Sequence, residues 1–217
     1  EPSEADLADA LAQARALANR ALSRDLAGRM RARGFAVPSA PEPAASFSDM
    51  LEGTVTIWVN RGIRIEKGVG YPDRVIGRGF FIDPRGYLLT NYHVIKSEVD
   101  PKYEGYSRLF IMFNQATGEK IPARVVGWDA VFDLALLKAE TPARYSFGGS
   151  AAQRVSPGER VFAIGSPAGL EKTITSGIVS ATGRRFLEMG DAVQVDVPLN
   201  PGNSGGPLIG EGGDLLG

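Results

Sequence analysis

The chain of 217 residues contains no cysteine and only one histidine, His93. Without cysteine it can form neither a disulfide framework nor a thiol nucleophile, and a single histidine cannot supply the usual soft-ligand metal sites. We therefore expect no metal and no cofactor. Covalent catalysis in such a chain is left to serine, threonine, lysine or a carboxylate.

An excess of charge of one sign and long apolar runs are also lacking. The 24 Lys and Arg residues nearly balance the 25 Asp and Glu residues, so the net charge is -1. That balance gives no electrostatic reason to expect nucleic acid or an anionic membrane as a partner. No run of about 18 apolar residues occurs, so no membrane-spanning segment is predicted.

The first 48 residues differ in composition from the rest of the chain. Leucine and alanine recur at helical spacing through residues 1–36, which predicts an N-terminal amphipathic helix. We expect this helix to pack on its own domain or on a neighbouring subunit. Residues 37–48 are rich in proline, alanine and serine, as is typical of a semi-rigid linker. A domain boundary is therefore expected before residue 49.

Beyond this boundary, short β-branched and aromatic runs alternate with Gly, Pro and Asp. No long helical segments alternate with them, so an all-β barrel or sandwich is favoured over a parallel βαβ sheet. Two polar stretches, 65–78 and 96–108, are expected to be surface loops. The predicted strands cover residues 54–59, 75–82, 109–113, 121–126, 134–137, 161–164, 173–181 and 193–197.

One serine near the end of the chain, Ser204, is surrounded by glycine and proline in the segment Asn-Pro-Gly-Asn-Ser-Gly-Gly-Pro at residues 200–207. A serine hydroxyl is a weak nucleophile that needs a neighbouring base, and its acyl oxyanion needs fixed donors. Glycines allow the backbone to turn its N–H groups towards such an oxyanion. The alternative is a tight turn between two strands.

The candidate base is His93, at the end of an apolar strand that follows the turn at residues 83–86. Histidine is the side chain that changes charge nearest neutral pH, although a buried histidine can also be a core residue. A base needs an acceptor that fixes its tautomer, and Asp133 stands directly before an apolar strand. Asp133 could instead open a turn, but the nearby Asp129 fits that role better.

Five motifs occur in the order in which the HtrA/Deg family of trypsin-like serine proteases has them. They are TNYHVI, GWDAVFDLALLK, ERVFAIGSPAGL, TITSGIVSATGR and VDVPLNPGNSGGPL. The chain resembles this family over residues 54–217. The resemblance implies an all-β, chymotrypsin-like double β-barrel over residues 49–217, with a first barrel at about 49–141 and a second at about 142–217. The catalytic triad would lie in the cleft between the two barrels.

The family's functional residues carry over to matching positions. The resemblance implies that Ser204 is the nucleophile, His93 the base and Asp133 the orienting acid, with the N–H groups of Gly202 and Ser204 as oxyanion hole. Asp196 is expected to be structural. The residues expected to line the primary specificity pocket offer no carboxylate, which favours a small or medium aliphatic P1 side chain; they are Pro198, Leu199 and Asn200.

Two departures from better-known trypsin-like enzymes shape the expectations. Asn203 stands where digestive enzymes have an aspartate that pairs with a newly cut N-terminus, so we expect activation through loop ordering instead. The chain also ends at Gly217, before the last strands that the family has. The second barrel is therefore expected to lack these strands.

The resemblance implies an ATP-independent serine endopeptidase of protein quality control, acting on unfolded or misfolded polypeptides. It further implies a periplasmic or cell-envelope location, a homo-oligomer such as a trimer or its multiple, and no nucleic-acid partner. The alternative from a different class is a non-proteolytic chaperone or binding scaffold built on a protease-like fold. Labelling of Ser204 by a fluorophosphonate would separate the two.

Overall fold

The computed structural model describes residues 46–104, 107–113, 118–147, 155–165, 173–186, 189–198 and 202–217. The predicted N-terminal helix at residues 1–36, most of the linker at residues 37–48, and Leu199 and Asn200 lie outside these ranges. The predicted domain boundaries therefore stay predictions. No helix within the described ranges is both long enough and apolar enough to span a membrane.

Six antiparallel strands form a closed barrel in the order β1-β2-β3-β6-β5-β4. On β1 the fully buried side chains of Val55, Ile57 and Val59 recur at every second residue, as expected for a strand with one face towards a core. Closure leaves the barrel without an unpaired edge. The strands are β1 (Thr54–Glu66), β2 (Val69–Asp83), β3 (Tyr87–Thr90), β4 (Arg108–Met112), β5 (Ile121–Asp129) and β6 (Leu134–Ala139).

The second half of the described chain forms a four-stranded sheet in the order β10-β7-β8-β9. Its strands are β7 (Arg160–Gly165), β8 (Thr173–Phe186), β9 (Met189–Val195) and β10 (Leu208–Gly210). Residues after β10 turn back on it, so that the N–H of Leu216 donates to the carbonyl of Leu208 over 2.8 Å. The expected fold is confirmed: a double-barrel arrangement with a closed first barrel and an incomplete second one.

The expectation of a surface loop over residues 65–78 is wrong, because these residues belong to a long β1–β2 hairpin. After a bulge between Asn60 and Ile63, the pairing continues to Glu66 opposite Val69. The two turn residues, Lys67 and Gly68, both have positive φ, at 51° and 79°. That combination suits a two-residue hairpin turn, whose twist matches that of the strands. The Gly and Pro residues of this stretch resemble those of a loop, so the two strands were not recognised in the sequence.

The expected loop over residues 96–108 is also wrong in its first half. Helix α2 (Tyr92–Val99) is followed by a 3-10 turn (Pro101–Tyr103), and a shorter helix, α1 (Phe47–Glu52), precedes the barrel. Val94 and Ile95 are almost fully buried and join the core of the first barrel. In the sequence these two apolar residues follow shortly after the apolar residues of β3. The start of a short helix is therefore hard to distinguish from a continuation of the strand.

The turn between β2 and β3 is stabilised by one carboxylate. Oδ1 of Asp83 accepts the backbone N–H of Arg85 over 2.7 Å, and Oδ2 accepts a guanidinium N–H of Arg85 over 2.8 Å. Burial alone would raise the pKa of Asp83, but the hydrogen bonds from Arg85 and the charges of Arg85 and Lys138 outweigh it and lower the pKa below its ordinary value of 3.8.

We predict that Asp83→Asn lowers the free energy of unfolding by about 1 kcal/mol at neutral pH, because a charge-assisted turn becomes a neutral one. A lowered pKa in the folded state stabilises the protein above the unfolded-state pKa, and this contribution is lost as the pH falls through the folded-state pKa. The difference between variant and parent should therefore be smaller at an acidic pH below 3.8 than at neutral pH. Urea unfolding at both pH values measures it, and equal midpoints at neutral pH would contradict the prediction.

Candidate active site

His93 is the second residue of α2, and its side chain is 54% exposed. The next two residues, Val94 and Ile95, are buried in the core of the first barrel. The helix is therefore anchored immediately after the histidine, while the imidazole faces outward. The structure places His93 at the start of a helix, three residues beyond the end of β3, rather than on the strand.

Asp133 holds His93 by both its side chain and its backbone. Oδ2 of Asp133 lies 2.7 Å from Nδ1 of His93, and Oδ1 accepts the backbone N–H of His93 over 2.8 Å. Because a carboxylate only accepts, the proton of the first contact is assigned to Nδ1, which in a neutral ring is the Nδ1–H tautomer. Nε2 is then the ring nitrogen with a lone pair that can take a proton.

The backbone of Asp133 is held by the same segment. Its carbonyl oxygen accepts a hydrogen bond from Nδ2 of Asn91 over 2.9 Å and another from the N–H of Tyr92 over 3.0 Å. Asp133 has a positive φ of 50°, which costs a non-glycine residue on the order of 1 kcal/mol. These hydrogen bonds offset that cost, and they also explain why the side chain of Asn91 does not cap α2.

Asp129 has the turn role expected of it. Its Oδ1 accepts the backbone N–H groups of Val131 and Phe132 over 2.9 and 3.1 Å. This is the side-chain-to-backbone pattern by which aspartate stabilises a turn. The structure therefore distinguishes the two acids as expected, with Asp129 supporting the turn and Asp133 contacting the histidine.

The turn that carries Ser204 is attached to the first barrel through Arg78 on β2. The carbonyl of Ser204 accepts the N–H of Arg78 over 2.8 Å, and the carbonyl of Arg78 accepts the hydroxyl of Thr90 over 2.6 Å. The next residue, Gly205, has a φ of 84°, and a Cβ there would overlap the carbonyl of Arg78 and the hydroxyl of Thr90. Only glycine allows this approach.

The turn that carries Ser204 thus packs against the segment that leads into the histidine helix. Thr90 and Asn91, which pack against the turn after Ser204, directly precede the helix that presents His93. Sequence reasoning did not identify Arg78, Thr90 or Asn91 as part of the site. The one sequence feature that could have pointed to these residues is the TNYHVI motif, which contains Thr90 and Asn91 but not Arg78.

Of the other residues predicted from the sequence, the structure describes Gly202, Pro198 and Asp196. Gly202 has a φ of 107°, and within the described ranges neither its N–H nor that of Ser204 donates to a protein acceptor. Pro198 is exposed, whereas Leu199 and Asn200 lie outside the described residues. Asp196 accepts the N–H of Ile178 over 2.6 Å and so supports β8, in agreement with its expected structural role.

Asn203, between the two expected oxyanion donors, is only 9% exposed. Among the described residues, neither Oδ1 nor Nδ2 of its side chain has a hydrogen-bond partner. A buried polar group without a partner costs roughly 1–3 kcal/mol. The side chain lies against Gly165 at the end of β7, where any Cβ would overlap it.

The comparisons agree with this geometry. The family model of the trypsin-like peptidase domain matches residues 77–217. A probable periplasmic DegP-like serine endoprotease of Chlamydia pneumoniae is 38% identical over 150 residues, which are 67% of this chain and 28% of that protein. The chain belongs to the HtrA/Deg family of trypsin-like peptidases.

Other members of the HtrA/Deg family give the same picture. Protease Do-like 1, chloroplastic, of Arabidopsis thaliana is 38% identical over 154 residues, 65% of this chain and 32% of that protein. The crystal structure of Deg5 matches with a TM-score of 0.61 and 33% identity over 79% of this chain and 80% of that one. The HtrA-type protease AlgW with tripeptide matches with a TM-score of 0.60 and 28% identity, over 78% of this chain and 52% of that one. The chain spans about three tenths of the length of these curated relatives.

Because His93 is the only histidine, its ring nitrogens can be followed without assignment ambiguity. We predict that Asp133→Asn shifts part of the neutral imidazole from the Nδ1–H to the Nε2–H tautomer, because the amide no longer requires a proton on Nδ1. Two-dimensional NMR correlating the ring nitrogens and carbon-bound protons measures the tautomer. Asp129→Asn is the matched control and should leave the tautomer unchanged; a parent-like spectrum for Asp133→Asn would refute the prediction.

Proposed function

We propose that this chain is the protease unit of an ATP-independent serine endopeptidase that cleaves unfolded or misfolded polypeptides. The observation that carries the proposal is the pair of hydrogen bonds, 2.7 and 2.8 Å long, by which Asp133 holds His93. The order His, Asp, Ser along the chain is that of chymotrypsin-like enzymes. The names of the bacterial relatives, which describe serine endoproteases, support the same activity.

In the proposed reaction, Oγ of Ser204 attacks the carbonyl carbon of the scissile peptide bond while Nε2 of His93 takes the hydroxyl proton. The tetrahedral intermediate collapses when His93 returns this proton to the leaving amine, which breaks the C–N bond. Water then attacks the acyl-enzyme, again losing a proton to His93. The ester is cleaved, and Ser204 regains its proton.

Asp133 acts through His93 rather than on the substrate. Its carboxylate holds the imidazole in the Nδ1–H tautomer and stabilises the imidazolium that forms during attack, without taking the proton itself. The contact to the backbone N–H of His93 fixes the ring relative to its own main chain. Such fixed positioning favours a reactive arrangement of base and nucleophile.

The oxyanion that forms on the substrate carbonyl would be bound by the N–H groups of Gly202 and Ser204. Backbone donors in fixed orientation stabilise this charge without reorganising, and the loss of one donor typically reduces kcat by about 10²- to 10³-fold. The positive φ of Gly202 supports this role, because it turns successive N–H groups towards one side of the chain.

The specificity pocket is expected to accept small or medium aliphatic P1 residues. Pro198, Leu199 and Asn200 carry no charge that could pair with Arg or Lys of a substrate. Because relatives from several bacteria are named periplasmic, we propose a location in the cell envelope for this chain as well. The Arabidopsis relative is named chloroplastic, so the location rests on the bacterial names.

Hydrolysis of an unfolded protein such as casein tests the proposed activity. We expect Ser204→Ala to abolish it, with a loss of at least about 10⁴-fold in kcat, because the nucleophile is gone. Chelators should leave the parent activity unchanged. Ser180→Ala, at an exposed position on β8, is the matched control and should keep the parent activity.

Fluorophosphonate labelling of the same proteins separates the two function classes. Labelling of the parent at Ser204, and none in the Ser204→Ala variant, is expected of a protease. If the parent is not labelled but still prevents aggregation of unfolded protein, the chain is a binding scaffold and the proposed function is wrong.

Assembly into a homo-oligomer, through the amphipathic segment at residues 1–36, is a further part of the proposal. An amphipathic helix in front of a compact unit needs an apolar partner for its leucine-bearing face. We expect deletion of residues 1–34 to reduce the mass in solution to that of a monomer. Light scattering coupled to size exclusion measures the mass, and an unchanged oligomer would rule out this role of the segment.

A further inference from the structure

The buried amide of Asn203 has no function in the mechanism described so far. Both of its polar atoms are buried without a hydrogen-bond partner in the described part of the chain. A leucine of nearly the same shape would fill this position without the desolvation cost of the amide. The stability of the fold therefore does not explain an amide at this position. Unpartnered buried polar groups are rare in native structures and call for a specific explanation.

The position of Asn203 is built by its surroundings. The side chain lies against Gly165, and a Cβ on residue 165 would overlap Oδ1 and Cγ of the amide. Its carbonyl accepts the N–H of Gly206 over 2.8 Å, and a Cβ on Gly206 would overlap the carbonyl of Ile164. The side chain and the backbone of Asn203 thus both pack closely against the end of β7, and the glycines at positions 165 and 206 allow this close packing.

The backbone of Asn203 also connects the two proposed oxyanion donors. The N–H of Ser204 belongs to the peptide group that Asn203 begins, so rotation about the ψ of Asn203 turns this donor directly. Gly202, on the other side, has a φ of 107° and lacks a Cβ that would resist rotation. The Asn203 carbonyl is held by the N–H of Gly206, and the contact between the Asn203 side chain and Gly165 is a second restraint on the backbone that joins the two donors.

We propose that Asn203 is a positioning residue for the oxyanion hole: its uncharged amide, seated against Gly165, sets the orientation of the Gly202 and Ser204 N–H groups. The polar atoms of this amide have no hydrogen-bond partner among the described residues, so they can make contacts that a leucine cannot. The inference rests on the proposed function of Ser204. It differs from a packing role, because it requires the polar atoms of the amide and not only its volume.

The first test compares Asn203→Leu with the parent in the full chain. Thermal unfolding measures Tm, and hydrolysis of a chromogenic peptide substrate gives kcat and KM. We expect a Tm at or above that of the parent and a KM within about twofold, while kcat falls roughly 10- to 100-fold, less than on deletion of an oxyanion donor. Asn60→Leu, at an exposed position on β1, is the matched control and should keep the parent kcat.

A folded Asn203→Leu variant with the kcat of the parent would overturn the inference, since volume alone would then suffice. If this variant does not fold, two other variants test the inference. The first is Gly165→Ala, whose Cβ pushes the amide out of its position. The second is the double variant Gly165→Ala with Asn203→Ala. We expect kcat to stay at least tenfold reduced in both, because neither has the amide in place. Recovery of the parent kcat in the double variant would show that packing alone matters.

The outcomes also separate this inference from the proposed function. If the parent hydrolyses the peptide and Ser204→Ala does not, the protease function holds and the Asn203 variants decide the inference alone. If hydrolysis by the parent does not depend on Ser204, the proposed function fails, and the inference fails with it.

Discussion

The arrangement of the site depends on the two backbone polar groups of Arg78. Its N–H donates to the carbonyl of Ser204 and its carbonyl accepts the hydroxyl of Thr90. The backbone of one residue on β2 thereby connects the turn with the serine to the segment that leads into the histidine helix. Gly205 makes this approach possible, because any side chain there would overlap both partners. A protease site built from two barrels needs such a connection, since no covalent link fixes the barrels at this place.

The two halves of the site are held in different ways. His93 and Asp133 are joined by two side-chain hydrogen bonds, and the backbone of Asp133 is tied to Asn91 and Tyr92 by two more. All of these residues belong to a closed barrel with a large buried core. The Ser204 turn instead extends from a four-stranded sheet with a smaller core, and glycines flank the serine closely. Among the described residues, the His93–Asp133 pair is therefore held by more side-chain hydrogen bonds than the Ser204 turn.

Much of the fold and of the candidate site could be predicted from the sequence, because it depends on which side chains are polar, apolar or β-branched. The strands at 121–126 and 134–137 were predicted from their β-branched and apolar runs, and they form parts of β5 and β6. Asp129 and Asp133 could be distinguished because only the latter precedes a buried strand. The contacts through Arg78 could not be predicted, since they use backbone atoms that every residue has. The β1–β2 hairpin was missed because its glycine-containing turn resembles a loop in the sequence. Helix α2 was missed because a short buried helix resembles a strand.

Activation through loop ordering stays a prediction, and the difference between the two halves indicates that it would act on the serine turn. An ion pair with a new N-terminus is not available to the uncharged Asn203, so the serine turn has to be fixed by neutral contacts. Each contact described for this turn is of that kind: the N–H of Arg78 on the carbonyl of Ser204, the N–H of Gly206 on the carbonyl of Asn203, and the fit of the amide against Gly165. Neutral hydrogen bonds contribute only about 0.5–1.5 kcal/mol each. If activation works by loop ordering, as expected from the sequence, a segment that adds or removes one or two such contacts would act on the serine turn and leave the hydrogen bonds of the His93–Asp133 pair in place.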